Sequence, residues 1–184
     1  MKHDKYALVI GGTGMLAKVC QSLVNTNYYV SVVGRSTVRH QQLRSSSQYP
    51  ESIHAIAVDY HDLDSFKKEI KKTFLTHGAP DLVISWIHGS APLALSSLID
   101  EIVRTESKKW RLFDIKGSSR FFKNENTPVP GNCQYRRVYL GFKLDEHGSR
   151  WLTHDEIASG VIKAIRTDQL ETIVGTLEPW EKRP

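Results

Sequence analysis

Tyr6-Ala7-Leu8-Val9-Ile10-Gly11-Gly12-Thr13-Gly14-Met15-Leu16-Ala17 is an apolar run that breaks into three glycines and restarts with helical spacing. Residues 7–10 suit a strand buried on both faces. The glycines supply a tight turn whose bare backbone admits a pyrophosphate, and the helix that follows aims free N–H groups at the phosphates. The spacing reads as Gly12-x-Gly14-x-x-Ala17, or equally as Gly11-x-x-Gly14-x-x-Ala17, with a small side chain where helix and strand pack closely. Leu16, Val19, Cys20, Leu23 and Val24 then mark a helical apolar stripe, and a second strand is expected at residues 28–33. Strand, glycine turn, helix and strand in this order form a dinucleotide-binding unit. It predicts cofactor contacts from Gly11, Gly12, Thr13, Gly14, Met15 and Leu16.

Composition sets wide bounds. The 184 residues, 40% hydrophobic and 24% charged, are expected to form a single domain over residues 1–184. No apolar run reaches the length of a membrane span, and the charged Met1-Lys2-His3-Asp4-Lys5 leads into the first strand where a signal peptide would be apolar. A cytoplasmic protein is the expectation. Cys20 sits on the helical stripe and Cys133 in an expected loop, which makes neither a disulfide framework nor a metal-ligand spacing. The histidines at 40, 54, 61, 77, 147 and 154 show no zinc spacing either, so no metal site is expected. The net charge of +5 is scattered: Lys67, Lys68, Lys71 and Lys72 lie opposite the stripe Leu63, Phe66, Ile70 and Phe74, as on a solvated helix face. No nucleic-acid module is read from it.

The remaining chain repeats the alternation. Strands are expected at about 53–59, 81–87, 110–115, 136–142 and 171–175, and helices at about 62–77, 91–105 and 154–167. Thr153-His154-Asp155-Glu156 opens the last helix as a capping box. Residues 45–52 read as polar loop, and no internal repeat or low-complexity tract is present. The fold class is therefore α/β, a doubly wound parallel sheet of the Rossmann type in three α/β/α layers, with ligand at the carboxyl ends of the strands.

Val33-Gly34-Arg35-Ser36 closes the second strand, where an acidic residue normally receives the adenosine ribose 2′-hydroxyl. No carboxylate is present. Arg35 can pair with a 2′-phosphate and Ser36 can donate to it, which favours NADP(H) over NAD(H); Arg39 is a second candidate for the same phosphate.

With Asp59-Tyr60 after the third strand and Trp86-Ile87-His88-Gly89 after the fourth, the chain resembles the short-chain dehydrogenase/reductase family along nearly its whole length. The resemblance implies that Asp59 and Tyr60 flank the adenine. It also implies that Trp86, Ile87 and His88 lie beside the cofactor, in the place of the family's Asn-Ala-Gly motif. Leu140-Gly141 stands where the family has Pro-Gly. The family's chemistry uses a Ser that polarises the carbonyl, a Tyr that transfers the proton, and a Lys four residues later that lowers the Tyr pKa. Ser118 and Ser119 fall close to the serine's place. Tyr139 and Lys143 have the Tyr-x-x-x-Lys spacing, but on a strand four residues span roughly 13 Å, against about 6 Å in a helix, so they do not form the pair. Residues 120–135, with Pro128, Pro130 and Gly131, read as an irregular loop replacing the helix that carries it.

Tyr135 and His88 are the remaining proton-transfer candidates beside Ser118 and Ser119. Two functions stay open. One is an oxidoreductase passing hydride between NADP(H) and a small carbonyl or alcohol; the other is a non-catalytic NADP(H)-binding sensor or interaction protein. Loss of the helix leaves the apolar face of Leu95, Leu98, Ile99 and Ile102 to be covered by the 120–135 loop or by a partner, compatible with a homodimer.

Overall fold

The apolar runs at residues 6–10, 28–33 and 82–86 become strands shielded by helices on either side. The computed structural model describes residues 4–106, 108–123, 127–146 and 148–184. In chain order the elements are β1 (Lys5–Ile10), α1 (Ala17–Asn25), β2 (Tyr28–Gly34), α2 (Thr37–Ser45), β3 (Ile53–Ala57), α3 (Leu63–His77) and β4 (Leu82–Trp86). There follow α4 (Pro92–Thr105), β5 (Trp110–Gly117), β6 (Cys133–Leu140), β7 (Phe142–Asp145), β8 (Gly148–Trp151), α5 (His154–Thr167) and β9 (Glu171–Val174). The seven-stranded sheet has the order β3-β2-β1-β4-β5-β6-β9. All its pairs are parallel. The order reverses between β1 and β4, and the crevice outside their carboxyl ends is where this architecture binds ligands.

Alternation along the strands divides the core. Ala7, Val9, Val30, Val32, Leu82 and Ile84 face the layer of α1 and α5, while Leu8, Ile10, Val83 and Leu112 face α3 and α4. The helices start where their caps stand. The Asp62 carboxylate accepts from the Ser65 N–H at 3.1 Å, and Thr153 and Glu156 complete the expected capping box of α5.

The structure differs from the sequence reading in three places. Helix α2 was not expected; it has no apolar stripe, burying only His40 and Leu43, and its start is marked by the Ser36 cap. The expected polar loop contains a 3-10 turn at Pro50–Ser52. Strand β6 begins at Cys133, so residues 133–135 are strand and not loop, while Phe142 and Lys143 belong to the β7/β8 hairpin. Of the two covers expected for the apolar face of α4, the loop supplies one: Leu98, Ile99 and Ile102 are buried in the chain's own core, with Val129 packed alongside.

Between β5 and β6 the described residues form a 3-10 turn at Ser118–Lys123 and then irregular backbone, with no helix. Beneath them the sheet is polar. Lys116 is 1% exposed, with its ammonium 3.3 Å from Asp114 Oδ2. The Tyr135 hydroxyl donates to the same carboxylate oxygen at 2.8 Å, and that of Thr127 at 3.4 Å. Charges buried this deeply persist only when paired.

Candidate functional site

Each glycine of the first turn has a different task. Gly11 has φ of 76°, donates its N–H to the Val33 carbonyl at 3.0 Å, and lies against Trp86, whose carbonyl oxygen would be 3.1 Å from an added Cβ. Gly12 is inside the fold: a Cβ there would sit 2.7 Å from Val32 Cγ1 and 2.9 Å from Cys20 Sγ. Gly14 faces open space, with nothing within 4 Å of an added Cβ. Gly12 and the buried Leu16 do not line the cavity above the turn, so any contact from them to a ligand would come through their backbone.

A cavity of about 550 Å³ opens above this turn, lined by Gly11, Thr13, Gly14, Met15, Gly34, Arg35, Ser36, Arg39 and Tyr60. That volume suits a small-molecule site. Thr13 rests on Gly34, where a Cβ would meet Thr13 Oγ1 at 2.6 Å. At the far end, α2 points its N-terminus toward the cavity wall: the Ser36 hydroxyl accepts from the Arg39 N–H at 3.3 Å, and no acidic residue lies in the first turn. Arg35 is exposed and 3.5 Å from Asp59 Oδ2, while Arg39 forms no ion pair with a described residue. The result is a concentration of positive potential at the β2 end.

Asp59 turns to the side of the cavity. It accepts from the His61 N–H at 3.0 Å and lies 2.8 Å from His61 Nδ1; the first of these, with help from the second and from Arg35, holds its carboxyl below the usual range. His61 stacks on Tyr60 and reaches Ser90 Oγ at 2.8 Å. His88 also contacts Ser90 Oγ at 2.8 Å, and its backbone N–H donates to the Tyr60 hydroxyl at 3.3 Å. Ile87 is half-buried in the α3/α4 core.

A second cavity of about 490 Å³ continues along the sheet edge, lined by Ser118, Ser119, Leu140, Trp151, Leu152 and Arg183, and it shares Met15 and Trp86 with the first. Trp86 lies across the boundary, against Gly11 on one side and within 3.9 Å of an added Gly117 Cβ on the other.

No family model matches the sequence, and no curated protein matches it. Solved structures do match. A short-chain dehydrogenase/reductase from Brucella melitensis, described as glucose/ribitol dehydrogenase, aligns with a TM-score of 0.70 at 12% identity, covering 94% of this chain and 96% of that one. A β-ketoacyl-[ACP] reductase from Bacteroides thetaiotaomicron aligns with a TM-score of 0.68 at 12% identity over 94% and 98%. An alcohol dehydrogenase from Thermococcus sibiricus, complexed with 5-hydroxy-NADP, aligns with a TM-score of 0.69 at 13% identity over 94% and 95%. The chain has the fold of the short-chain dehydrogenases/reductases.

Within this short-chain dehydrogenase/reductase fold the four proton-transfer candidates are not brought together. Ser118, buried, and Ser119, exposed, both line the second cavity. His88 is directed instead to Ser90, beside Tyr60 and His61. Tyr135 pairs in register with Leu112, several residues back from the carboxyl edge, and its hydroxyl is engaged by Asp114 and Thr127. Burial and the Asp114 charge push that phenol above its ordinary value, opposite to what proton transfer near neutrality needs. Tyr139 is buried in β6 with its ring edge-on to Phe121, and Lys143 is exposed on β7.

Other residues escaped the sequence reading. Gly34 carries Thr13, His154 reaches the first cavity from the start of α5, and Trp151, Leu152 and Arg183 line the second. The capping box located the α5 terminus that carries His154. Nothing in the local sequence signalled Arg183.

Proposed function

We propose that the chain binds NADP(H) across the two cavities and acts as an oxidoreductase on a small carbonyl or alcohol. The observation that carries this reading is the cradle above the first turn, with Gly14 facing open space and the cationic α2 terminus at the β2 end. In it, Gly14 and Thr13 would face the pyrophosphate, and Arg39, Arg35 and Ser36 a 2′-phosphate. When bound, the dinucleotide supplies a hydride to the carbonyl carbon, and one proton must reach the carbonyl oxygen. Ser118 and Ser119 would donate hydrogen bonds to that oxygen, with the exposed Ser119 hydroxyl relaying the proton from solvent.

A specific observation favours the second reading, an NADP(H)-binding protein that does not turn over. No tyrosine lines the cavity of Ser118 and Ser119 among the described residues. Fluorescence titration of NADPH and NADH tests the shared part: tighter NADPH binding that weakens on Arg39→Gln supports it, and tighter NADH binding defeats it. Oxidation of NADPH with a panel of aldehydes, ketones and quinones separates the two. Turnover lost in Ser118→Ala/Ser119→Ala supports the enzyme, and tight NADPH binding without turnover supports the sensor.

A further inference from the structure

We propose that the second cavity selects a substrate bearing a carboxylate, with Arg183 as its counter-ion, a specificity that rests on the oxidoreductase reading above. Arg183 is the only charged residue lining that cavity among the described residues, and its guanidinium forms no ion pair with any of them. Its position is set by packing. The guanidinium carbon lies 4.4 Å from the centroid of the Trp180 ring, within cation–π range, and the Arg183 N–H donates to the Trp180 carbonyl at 3.1 Å. Trp180 in turn meets Phe122 edge-on, with centroids 4.9 Å apart, and Phe122 belongs to the same 3-10 turn as Ser118 and Ser119. One aromatic contact therefore joins the segment of the cation to the turn of the two hydroxyls, and all three residues line the cavity.

The rest of the wall is mainly apolar, through Leu140, Trp151, Leu152 and Ile157. Arg183 is exposed, and its planar guanidinium, held against the Trp180 ring, can receive a carboxylate through two charge-assisted hydrogen bonds. A neutral substrate of the same shape leaves those donors unanswered. The bound dinucleotide could supply an anion too, but Arg183 lines the cavity of the serines and not the one above the glycine turn, where the pyrophosphate belongs. The favoured substrate is thus an apolar body with a carbonyl or hydroxyl at one end of the cavity and a carboxylate at the other.

Calorimetric titration of 3-phenylpropanoate and of its isosteric amide, 3-phenylpropanamide, into the full chain with and without NADP⁺ tests the assignment independently of turnover. The acid is expected to bind at least about ten-fold more tightly than the amide. Arg183→Gln should bring the two within about two-fold, whereas Lys182→Gln, a cation of the same turn outside the cavity lining, should keep the preference. Equal binding of acid and amide to the unaltered protein, or a preference that survives Arg183→Gln, would overturn the proposal. So would an Arg183→Gln variant that loses NADP⁺ affinity but keeps the acid preference, since the guanidinium would then serve the cofactor's phosphates. Failure of the unaltered protein to bind NADP⁺, with an acid preference that depends on Arg183, supports the carboxylate site and overturns only the cofactor reading.

Discussion

Replacing Gly12 and Gly14 by alanine, one at a time, should give opposite phenotypes from the same chemical change two residues apart. At Gly12 the new methyl falls 2.7 Å from Val32 Cγ1, 2.9 Å from Cys20 Sγ and 3.0 Å from Val9 Cγ1. All three atoms belong to short, fully buried side chains that cannot swing aside. Overpacking of this kind costs about 1–3 kcal/mol. For a chain of this size each kcal/mol lowers Tm by about 2–4 °C, so Gly12→Ala should melt roughly 2–12 °C early. At Gly14 the methyl meets nothing within 4 Å and points into the space proposed for the pyrophosphate. Stability should change by no more than about 0.5 kcal/mol, while NADPH affinity falls at least about ten-fold, or about 1.4 kcal/mol. Thermal melts by circular dichroism and NADPH fluorescence titrations on both variants give the comparison. Adding Val32→Ala to Gly12→Ala removes the closest clash, and the pair should couple by more than about 0.5 kcal/mol. A Gly14→Ala protein that melts early, or one that binds NADPH unchanged, would refute the division of labour read from the turn.

Three further outcomes follow from the packing and the charges. Lys116→Met strands the buried Asp114 carboxylate and should destabilise the chain by about 3–5 kcal/mol in denaturant melts; a loss under about 1 kcal/mol would mean the pair is not buried as described. Hydrogen bonds from Arg150 and from the Thr153 N–H hold Glu156 at about 2, below its ordinary value near 4.5. Its contribution to stability is therefore present above pH 4.5 and is lost as pH falls toward 2; the gap in Tm between the unaltered protein and Glu156→Gln should close over that window, and a gap independent of pH would contradict it. Burial pushes the Cys133 thiol up to about 12, so iodoacetamide at pH 8 should label it only after unfolding, and rapid labelling of the native chain would show the thiol to be accessible.

The elements that were legible in the sequence are those whose burial leaves a periodic trace. β1, α1, β4, α4 and α5 bury whole faces or stripes, and their positions follow from the spacing of apolar residues. Helix α2 buries only two side chains, so its polar sequence shows no stripe, although its N-terminus forms part of the proposed phosphate site. Cys133 to Tyr135 read as loop because they follow two prolines and a glycine; pairing with β5 from Trp110 to Leu112 makes them strand. The β7/β8 hairpin is four residues to a strand and exposed along most of its length, too short and too polar for a period to show.

The site divides along the same line. The turn from Gly11 to Gly14 was read from adjacent residues, because a tight turn between a strand and a helix is a local event with strong steric demands at each position. Even there, only the folded chain distinguishes Gly12, pressed against Val32 and Cys20, from Gly14, facing the open cavity. The sequence by itself determined a parallel α/β sheet with a glycine turn between its first strand and helix and, among the described residues, no helix between β5 and β6. Tertiary structure alone decided that Trp86 would separate two cavities, that Tyr135 would be engaged by Asp114, and that Arg183 would line the same cavity as Ser118 and Ser119. The physical reason is distance along the chain: these contacts join residues tens of positions apart, and each exists only once the sheet has set the strand ends in register.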